Sequence, residues 1–255
     1  GLSIVIQKRF DIEEFLELIQ KFKVTVVATV MPVLTILTQM PELLKQYDLS
    51  SLRYISSGAT PMVPEIARKF EELTGVTVTQ GYGLSETSPI THTNPLSQIK
   101  LESVGPPLPD TLQKIVDVET GTKELPPGEV GEIAIRGPQV MIGYWKRPKE
   151  TAEVLRNGWF YTGDLGKIDE DGYLYIVDRK KETIKYKGFT IGPAELEAVL
   201  LEHPAVGDCA VVGKPDPVAG EIPKAYVSLR GGAEATEEGI IKFVEERVAG
   251  YKKIR

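Results

Sequence analysis

The segment Val76-Thr-Val-Thr-Gln-Gly-Tyr-Gly-Leu-Ser-Glu-Thr-Ser-Pro89 decides the fold, because a short strand-forming run leads directly into a loop rich in glycine and hydroxyl groups. Residues 76–79 alternate valine and threonine, which favours a β-strand. In sheets built from parallel strands, ligands bind beyond the carboxyl ends of the strands. The loop at residues 80–89 is therefore the first candidate for a functional site.

The residues before this segment alternate predicted strands with predicted helices. Asp11 and Glu14 have the spacing of a capping box at a helix start, and Pro32 and Pro64 are each suited to a first helical turn. The helix that begins at Pro64 is expected to turn Ile66, Phe70 and Leu73 inward and to end at Gly75. Strands are predicted at residues 3–7, 24–28, 53–57 and 76–79, with residues 24–28 buried on both faces.

After about residue 104 the pattern changes to short strands separated by turn clusters, for example Pro126-Pro-Gly128 and Asp169-Glu-Asp-Gly172. A helix is predicted near Pro193, strands at residues 209–212 and 225–229, and a last helix capped by Thr236. We therefore predict an α/β fold with three parts. These are a partial, mostly parallel sheet with helices at about 1–104, a small antiparallel β subdomain at about 105–177, and a small mobile α+β domain at 178–255.

Composition excludes several classes of protein. The 255 residues carry 30 Lys and Arg against 36 Asp and Glu, and a net charge of −6 is the wrong sign for a nucleic-acid-binding protein. One cysteine, Cys209, excludes an internal disulfide, and His92 and His203 lie too far apart in sequence to suggest a histidine metal site. The apolar residues 24–37 are too few for a membrane helix. We expect a cytoplasmic protein without an integral membrane segment.

The loop at residues 80–89 contains groups suited to a nucleotide. Gly81 and Gly83 permit close backbone approach, and Tyr82 could stack on a planar base. Ser85 could hydrogen-bond a phosphate oxygen, and Glu86 could bind a hard cation such as Mg²⁺. The alternative is a polar turn with a solvated Glu86, which the loop taken alone favours.

Two further segments are candidates for ligand binding because of their position in the sequence. Residues 56–61 follow the preceding strand and would lie beside the first loop if the two strands are neighbours. Asp164, after the aromatic run Trp159-Phe-Tyr161, could accept hydrogen bonds from both hydroxyls of a ribose, or could instead cap a turn.

The segment Asp178-Arg-Lys-Lys-Glu-Thr-Ile-Lys-Tyr-Lys-Gly-Phe189 has five basic side chains between residues 179 and 187. Such a run is usually a solvated linker. Against this, Gly188 permits close main-chain approach, and Arg179 offers several donors to an oxygen-rich ligand. A concentrated positive patch in an acidic protein indicates that this segment binds an anion.

The order of the motifs resembles the adenylate-forming superfamily. The matching motifs are Ser57-Gly-Ala-Thr-Pro61, Gly81-Tyr-Gly-Leu-Ser-Glu86, Gly131-Glu-Ile-Ala-Ile-Arg-Gly137, Gly143-Tyr-Trp145, Tyr161-Thr-Gly-Asp164 and Asp178-Arg-Lys-Lys-Glu-Thr-Ile-Lys185. Within it, Tyr186-Lys-Gly-Phe-Thr-Ile-Gly-Pro-Ala-Glu195 resembles the acyl-CoA synthetases, nearest the fatty-acyl-CoA and 4-coumarate-CoA ligases. The resemblance implies that ATP and a carboxylic acid form an acyl-adenylate over Mg²⁺, and that coenzyme A then displaces AMP.

The resemblance also implies roles for individual residues. Those expected to bind nucleotide are Gly58, Ala59, Thr60, Gln80, Gly81, Tyr82, Gly83, Leu84, Ser85, Asp164 and Arg179. Ser85, Glu86, Lys181 and Lys185 are the expected catalytic residues, with Glu86 on Mg²⁺. Lys187, Gly188 and Phe189 are expected to bind coenzyme A, and Asp178 to be a hinge. Tyr82 and Asp164 are expected to converge on one AMP moiety.

Two expected parts of such an enzyme are missing from the sequence. The phosphate loop would precede Gly1, and the adenylation lysine would follow Arg255, so Lys252 and Lys253 match only the approach to it. We therefore expect a C-terminal half that adenylates little or not at all by itself. The acid, which we expect to be fatty, would contact residues 27–33 and the vicinity of Gly81. A non-catalytic nucleotide-binding or interaction module, a carrier-protein-loading domain and a luciferase-like enzyme remain alternatives, and the oligomeric state stays open.

Overall fold

The computed structural model describes residues 1–60 and 62–255, and its chain divides into two compact units. The first unit comprises residues 1–113, 135–160 and 168–175. The second comprises residues 114–134, 161–167 and 176–255. The predicted domain boundary at 177/178, and the predicted division of residues 1–177 at about residue 104, stay predictions.

A four-stranded sheet lies in the first unit. Its strands, in spatial order, are β1 (Val26–Thr29), β2 (Tyr54–Ser57), β3 (Thr77–Gly83) and β4 (Ile90–Thr93). β1, β2 and β3 are parallel, and β4 joins β3 in antiparallel orientation. The prediction of a mostly parallel sheet is confirmed.

The helices of this region are α1 (Ile12–Phe22), α2 (Met31–Gln39), α3 (Pro41–Leu44) and α4 (Pro64–Thr74). The Asp11 side chain caps α1 by accepting a hydrogen bond from the Glu14 N–H at 2.9 Å. Proline occupies the first turn of both α2 and α4. Gly75 ends α4 at φ +71°, a left-handed conformation that suits a residue without a Cβ.

Three expectations about this region are wrong. Residues 3–7 form no strand, because none of the described strands pairs with this segment. The side chain of Ile4 is accordingly 80% exposed. β1 is buried on one face only, since Val27 is buried while Val26 is 41% exposed on this edge strand. On α4, Phe70 is buried as predicted, but Leu73 is 40% exposed and Ala67 takes the inward position.

A second sheet has five strands, and these contribute residues to both units. The elements are β5 (Leu112–Val116), β6 (Gly131–Arg136), β7 (Leu155–Arg156), β8 (Trp159–Ile168) and β9 (Leu174–Arg179), with α5 (Pro148–Val154) before β7. The order is β5-β6-β8-β7, and β9 also pairs with β8. The short strand β7 pairs with β8 in antiparallel orientation, as the turn-rich sequence predicts.

The third sheet belongs to the second unit. Its elements are β10 (Ile184–Tyr186), β11 (Phe189–Ile191), β12 (Val206–Asp216) and β13 (Gly220–Leu229), with α6 (Pro193–Leu201) and α7 (Glu237–Glu245). The strand order is β11-β10-β13-β12, with antiparallel pairing throughout. Leu196, Leu200 and Val244 pack in its core, and Thr236 caps α7 as predicted. The α/β class with a small α+β part is confirmed.

A bilayer-crossing helix would need a longer apolar run than any helix within residues 1–60 and 62–255 provides.

Replacement of the buried Phe70 by alanine tests the packing of α4. We expect Phe70→Ala to lower the free energy of unfolding by about 3–5 kcal/mol, because it leaves a cavity. Leu73→Ala, on the exposed side of the same helix, is the matched control and should cost less than about 1 kcal/mol. Urea denaturation measures both, and equal losses would contradict the observed orientation of α4.

Candidate functional site

The loops that follow β2 and β3 lie side by side. Ser57 pairs with Gln80 at the ends of these parallel strands, and a Cβ built on Gly58 would lie 3.7 Å from the carbonyl oxygen of Gly81. The predicted proximity of the two loops is therefore confirmed. Pro61, the last residue of the first loop, lies outside the described residues.

Two glycines of the second loop are required by the packing of β3 on β4. A Cβ on Gly83 would overlap the backbone carbonyl of Pro89, and one on Gly81 would lie 3.0 Å from the carbonyl oxygen of His92. Close approach of the chain to itself therefore explains these glycines. The sequence-based expectation is different, namely that Gly81 and Gly83 allow a ligand to approach the backbone.

Tyr82 lies beside a buried histidine. The rings of Tyr82 and His92 have centroids 5.9 Å apart at an angle of 50°. His92 is fully buried, with its ring nitrogens 2.9 Å from Thr91 Oγ1 and 2.9 Å from Gln113 Oε1. Burial lowers the pKa of His92 to about 4, against the hydrogen bond to Gln113, so its ring is neutral at pH 7. The neighbour of Tyr82 therefore adds no charge.

Two predicted nucleotide-binding residues, Gln80 and Thr60, already have hydrogen-bond partners within the first unit. The Gln80 amide donates to the carbonyl oxygens of Leu101 at 2.8 Å and Ser103 at 2.9 Å. Thr60 Oγ1 accepts a hydrogen bond from the Met31 N–H at 3.4 Å, at the start of α2. Both Nε2–H donors of Gln80 are thus used, and its carbonyl oxygen accepts a hydrogen bond from the Asn94 N–H at 3.1 Å.

Ser85 and Glu86 lie in a 3₁₀ turn, Ser85–Thr87, directly after β3. Leu84 precedes this turn, and its N–H and carbonyl both bond the buried Thr87 hydroxyl at 3.0 Å. Ser85 is exposed, and Glu86 Oε1 accepts a hydrogen bond from the Tyr144 hydroxyl at 2.8 Å. Glu86 is therefore not the solvated side chain of the alternative interpretation.

In the second unit, the buried Asp164 lies next to Arg179. The Arg179 Nε is 3.2 Å from Asp164 Oδ1, and the Arg179 side chain is largely exposed. Gly163, with φ +75°, turns the chain before Asp164, and its carbonyl accepts a hydrogen bond from the Lys180 N–H at 2.8 Å. The two residues predicted to bind nucleotide in this unit are thus brought together.

Asp178 ties β9 to α6. Its carboxylate accepts hydrogen bonds from the Arg179 N–H at 2.6 Å and the Ala194 N–H at 3.3 Å, in the first turn of α6. Burial raises the pKa of Asp178, and Glu182 and Glu197 raise it further, while the two N–H donors lower it. The carboxyl borders an open cavity of about 350 Å³. Residues on the cavity wall also include Lys181, Glu182, Glu197 and Glu221.

The basic residues of this segment have different environments. Lys181 is exposed on the cavity, and Lys185 Nζ donates to Thr190 Oγ1 at 2.7 Å. Lys180, which the sequence analysis gave no role, lies 2.7 Å from the buried carboxylate of Glu132. That ion pair is structural, and no local sequence signal joins residues 48 positions apart.

The predicted coenzyme A residues form a tight hairpin turn. Tyr186 pairs with Phe189, and Lys187 and Gly188 between them have φ values of +47° and +83°. Two positive φ values are typical of a type I′ turn, which explains the glycine without a ligand. Phe189 is 51% exposed, and its ring stacks on Tyr251 with centroids 4.5 Å apart.

A family model for AMP-binding enzymes matches residues 1–145, and a model for the C-terminal domain of AMP-binding enzymes matches residues 195–255. The chain belongs to the AMP-binding enzyme family. It is 44% identical over 99% of its length to a long-chain-fatty-acid–CoA ligase of Bacillus subtilis, covering 45% of that protein. It is 42% identical over its whole length to 4-coumarate–CoA ligase 2 of Nicotiana tabacum, covering 48%. The chain thus spans about half the length of the curated relatives it matches.

Solved structures agree with this membership of the AMP-binding enzyme family. ATP-bound MatB from Rhodopseudomonas palustris has a TM-score of 0.89 at 34% identity, covering 98% of this chain and 49% of that one. The O-succinylbenzoate coenzyme A synthetase of Bacillus subtilis, in complex with AMP, has a TM-score of 0.85 at 34% identity, covering 97% and 50%. The predicted resemblance to adenylate-forming enzymes is confirmed.

In this member of the AMP-binding enzyme family, the sequence did not predict the contact between Tyr144 and Glu86. The motif Gly143-Tyr-Trp145 was recognised, but nothing in its spacing shows contact with a carboxylate 58 positions earlier. Only the packing of the loop at residues 137–147 against the 3₁₀ turn reveals this contact.

The raised pKa of Asp178 gives a prediction about stability and pH. A carboxyl whose pKa is higher in the folded than in the unfolded state stabilises the fold most below the unfolded pKa, near 3.8. This contribution to the free energy of unfolding is lost as the pH rises through the folded pKa. Relative to Asp178→Asn, the wild-type free energy of unfolding should fall as the pH rises through this range. Urea denaturation at a series of pH values measures the difference, and a difference independent of pH would contradict the prediction.

Proposed function

We propose that the protein carrying this chain is an AMP-forming acid–thiol ligase of the acyl-CoA synthetase type. In the first half-reaction, the oxygen of a carboxylate attacks the α-phosphorus of ATP, and pyrophosphate leaves with the electron pair of the broken bond. In the second, the sulfur of coenzyme A attacks the acyl carbon, and AMP leaves. Residues outside this chain would take part, since the matched ligases are about twice as long.

One observation above all supports the proposal: identity of 44% with a long-chain-fatty-acid–CoA ligase runs along 99% of the chain. The paired loops after β2 and β3 add support, because they lie where parallel sheets bind ligands. A fatty acid is the proposed substrate. Because the chain is also similar to 4-coumarate–CoA ligases, aromatic acids are the substrates to compare with fatty acids. Cytoplasmic localisation is part of the same proposal.

In the first unit, we assign the loops to the adenine and phosphate of the nucleotide. Residues 58–60 and 80–83 would border adenine, with Tyr82 offering its ring face. The exposed Ser85 hydroxyl would donate to a phosphate oxygen. Leu84, which is half-buried between β3 and the 3₁₀ turn, would contribute its backbone position.

The donor set at Glu86 fits Mg²⁺. Proteins usually bind this ion through one or two carboxylates, with substrate phosphates and water filling the remaining positions. Within residues 1–60 and 62–255, no group of three or more His, Cys, Asp or Glu side chains is placed to hold a metal. Glu86 is a single carboxylate with an oxygen not used by Tyr144. When bound, Mg²⁺ would neutralise phosphate charge during adenylation.

In the second unit, we assign Asp164 to the ribose hydroxyls, because an ionised carboxylate accepts from two hydroxyls at once. Arg179 would hold Asp164 in place and offer its remaining donors. Lys181 and Lys185 would supply positive charge to the adenylate phosphate. Asp178 would be the hinge, as its motif in residues 178–185 suggests, and its carboxylate also accepts from the first turn of α6.

Exchange of labelled pyrophosphate into ATP by the complete gene product, across a panel of fatty and aromatic acids, tests the adenylation step. Asp164→Ala should lower kcat/KM for ATP at least about tenfold, because a charge-assisted hydrogen-bonding partner is lost. Asp208→Ala, which removes an exposed carboxylate bonded to the next residue's N–H, is the matched control. Wild-type exchange by Asp164→Ala would refute the ribose assignment. Nucleotide binding without exchange on any acid would favour the non-catalytic module.

Lys187→Asn tests the coenzyme A assignment, since asparagine tolerates the positive φ of the turn while the charge is removed. We expect KM for coenzyme A to rise about fivefold, the size of one exposed charge contact, with pyrophosphate exchange unchanged. Lys214→Asn, at an exposed position on β12, is the control. An unchanged KM in the thioester assay would remove Lys187 from the coenzyme A site.

A further inference from the structure

Glu86 is held at two points by one loop of the first unit. The Tyr144 hydroxyl donates to Glu86 Oε1 at 2.8 Å, and the Met141 N–H donates to the Glu86 carbonyl oxygen at 2.8 Å. Both contacts come from residues 137–147, between β6 and α5. The backbone and the side chain of the carboxylate residue are therefore positioned by the same short segment.

Tyr144 is itself fixed from α5. Its N–H donates to Thr151 Oγ1 at 2.9 Å, and that hydroxyl donates to the Arg147 carbonyl at 2.7 Å. At Gly143, with φ +148°, a Cβ would lie 2.8 Å from the Thr151 methyl group. This close approach of Gly143 to Thr151 brings the loop onto the helix and sets the direction of the phenol.

The hydrogen bond has a fixed polarity. A tyrosine phenol keeps its proton at neutral pH, so the Tyr144 hydroxyl donates and the Glu86 carboxylate accepts. A phenol can donate only one hydrogen bond, and this one goes to Oε1. This hydrogen bond restricts rotation of the carboxylate about its last bond and does not involve Oε2.

We propose that Tyr144 is a positioning residue that holds the Glu86 carboxylate in the orientation needed to bind a divalent cation. The inference rests on the proposed function, which assigns Glu86 to Mg²⁺. Tyr144 does not touch the ion in this proposal. It acts by ordering the ligand before the ion arrives, as hydrogen-bond partners of metal ligands commonly do.

Metal affinity of the complete gene product is the direct test. Mn²⁺ is titrated, with electron paramagnetic resonance of the free ion as readout, in the presence of a non-hydrolysable ATP analogue. Tyr144→Phe should weaken Mn²⁺ binding about 10-fold or more, the usual effect of removing a partner of a metal ligand. Binding of the same analogue in EDTA should not change. Tyr173→Phe, which removes a phenol bond to the Gln98 carbonyl, is the matched control and should bind Mn²⁺ as the wild type does.

Two further variants separate this inference from the proposed function. If Glu86→Gln weakens Mn²⁺ binding and Tyr144→Phe does not, the positioning role is wrong and the metal assignment stands. If Glu86→Gln has no effect, both fail. The double variant Glu86→Gln with Tyr144→Phe should bind Mn²⁺ as Glu86→Gln does, because the phenol acts only through the carboxylate. Additive losses, or equal loss of analogue binding in EDTA, would show a general structural effect and overturn the proposal.

Discussion

The parallel register between β2 and β3 is the constraint on which the candidate nucleotide loops depend. Pairing of Ser57 with Gln80 makes both strands end at the same level, so the chain must leave the sheet twice at one edge. The following residues then have little freedom: Gly58 approaches the Gly81 carbonyl, and Gly83 approaches Pro89. Glu86 is reached only three residues later, within a turn that the buried Thr87 hydroxyl closes.

Carboxylates play a corresponding structural part in the second unit. Asp178 binds the first turn of α6, Glu197 accepts from the Val211 N–H at 2.8 Å, and Glu221 accepts from the Lys185 N–H at 2.7 Å. Each thus accepts a hydrogen bond from a backbone N–H of another element. The acidic residues therefore serve partly to join β9 to α6, α6 to β12 and β13 to β10. The cavity beside Asp178 is lined by these same groups.

Local sequence patterns predicted the elements well where the signal is local, and less well where burial depends on distant residues. The Asp11 and Thr236 caps, the proline-initiated helices and the Gly75 stop are all confirmed, because each involves atoms a few residues apart. Leu73 and Val26 were assigned wrongly, since helical spacing and β-branching do not reveal which face meets the core. For the site, motif order identified the family, but the Tyr144–Glu86 contact required the folded chain.

The stacking of Phe189 on Tyr251 has a consequence for the end of the chain. Tyr251 lies in a 3₁₀ turn, Gly250–Lys252, whose Lys252 ammonium lies 2.6 Å from Glu195 on α6. A planar molecule that took the same face of Phe189 would have to displace the Tyr251 ring. The face of Phe189 that Tyr251 covers is thus closed to a second ring for as long as the Gly250–Lys252 turn keeps its place.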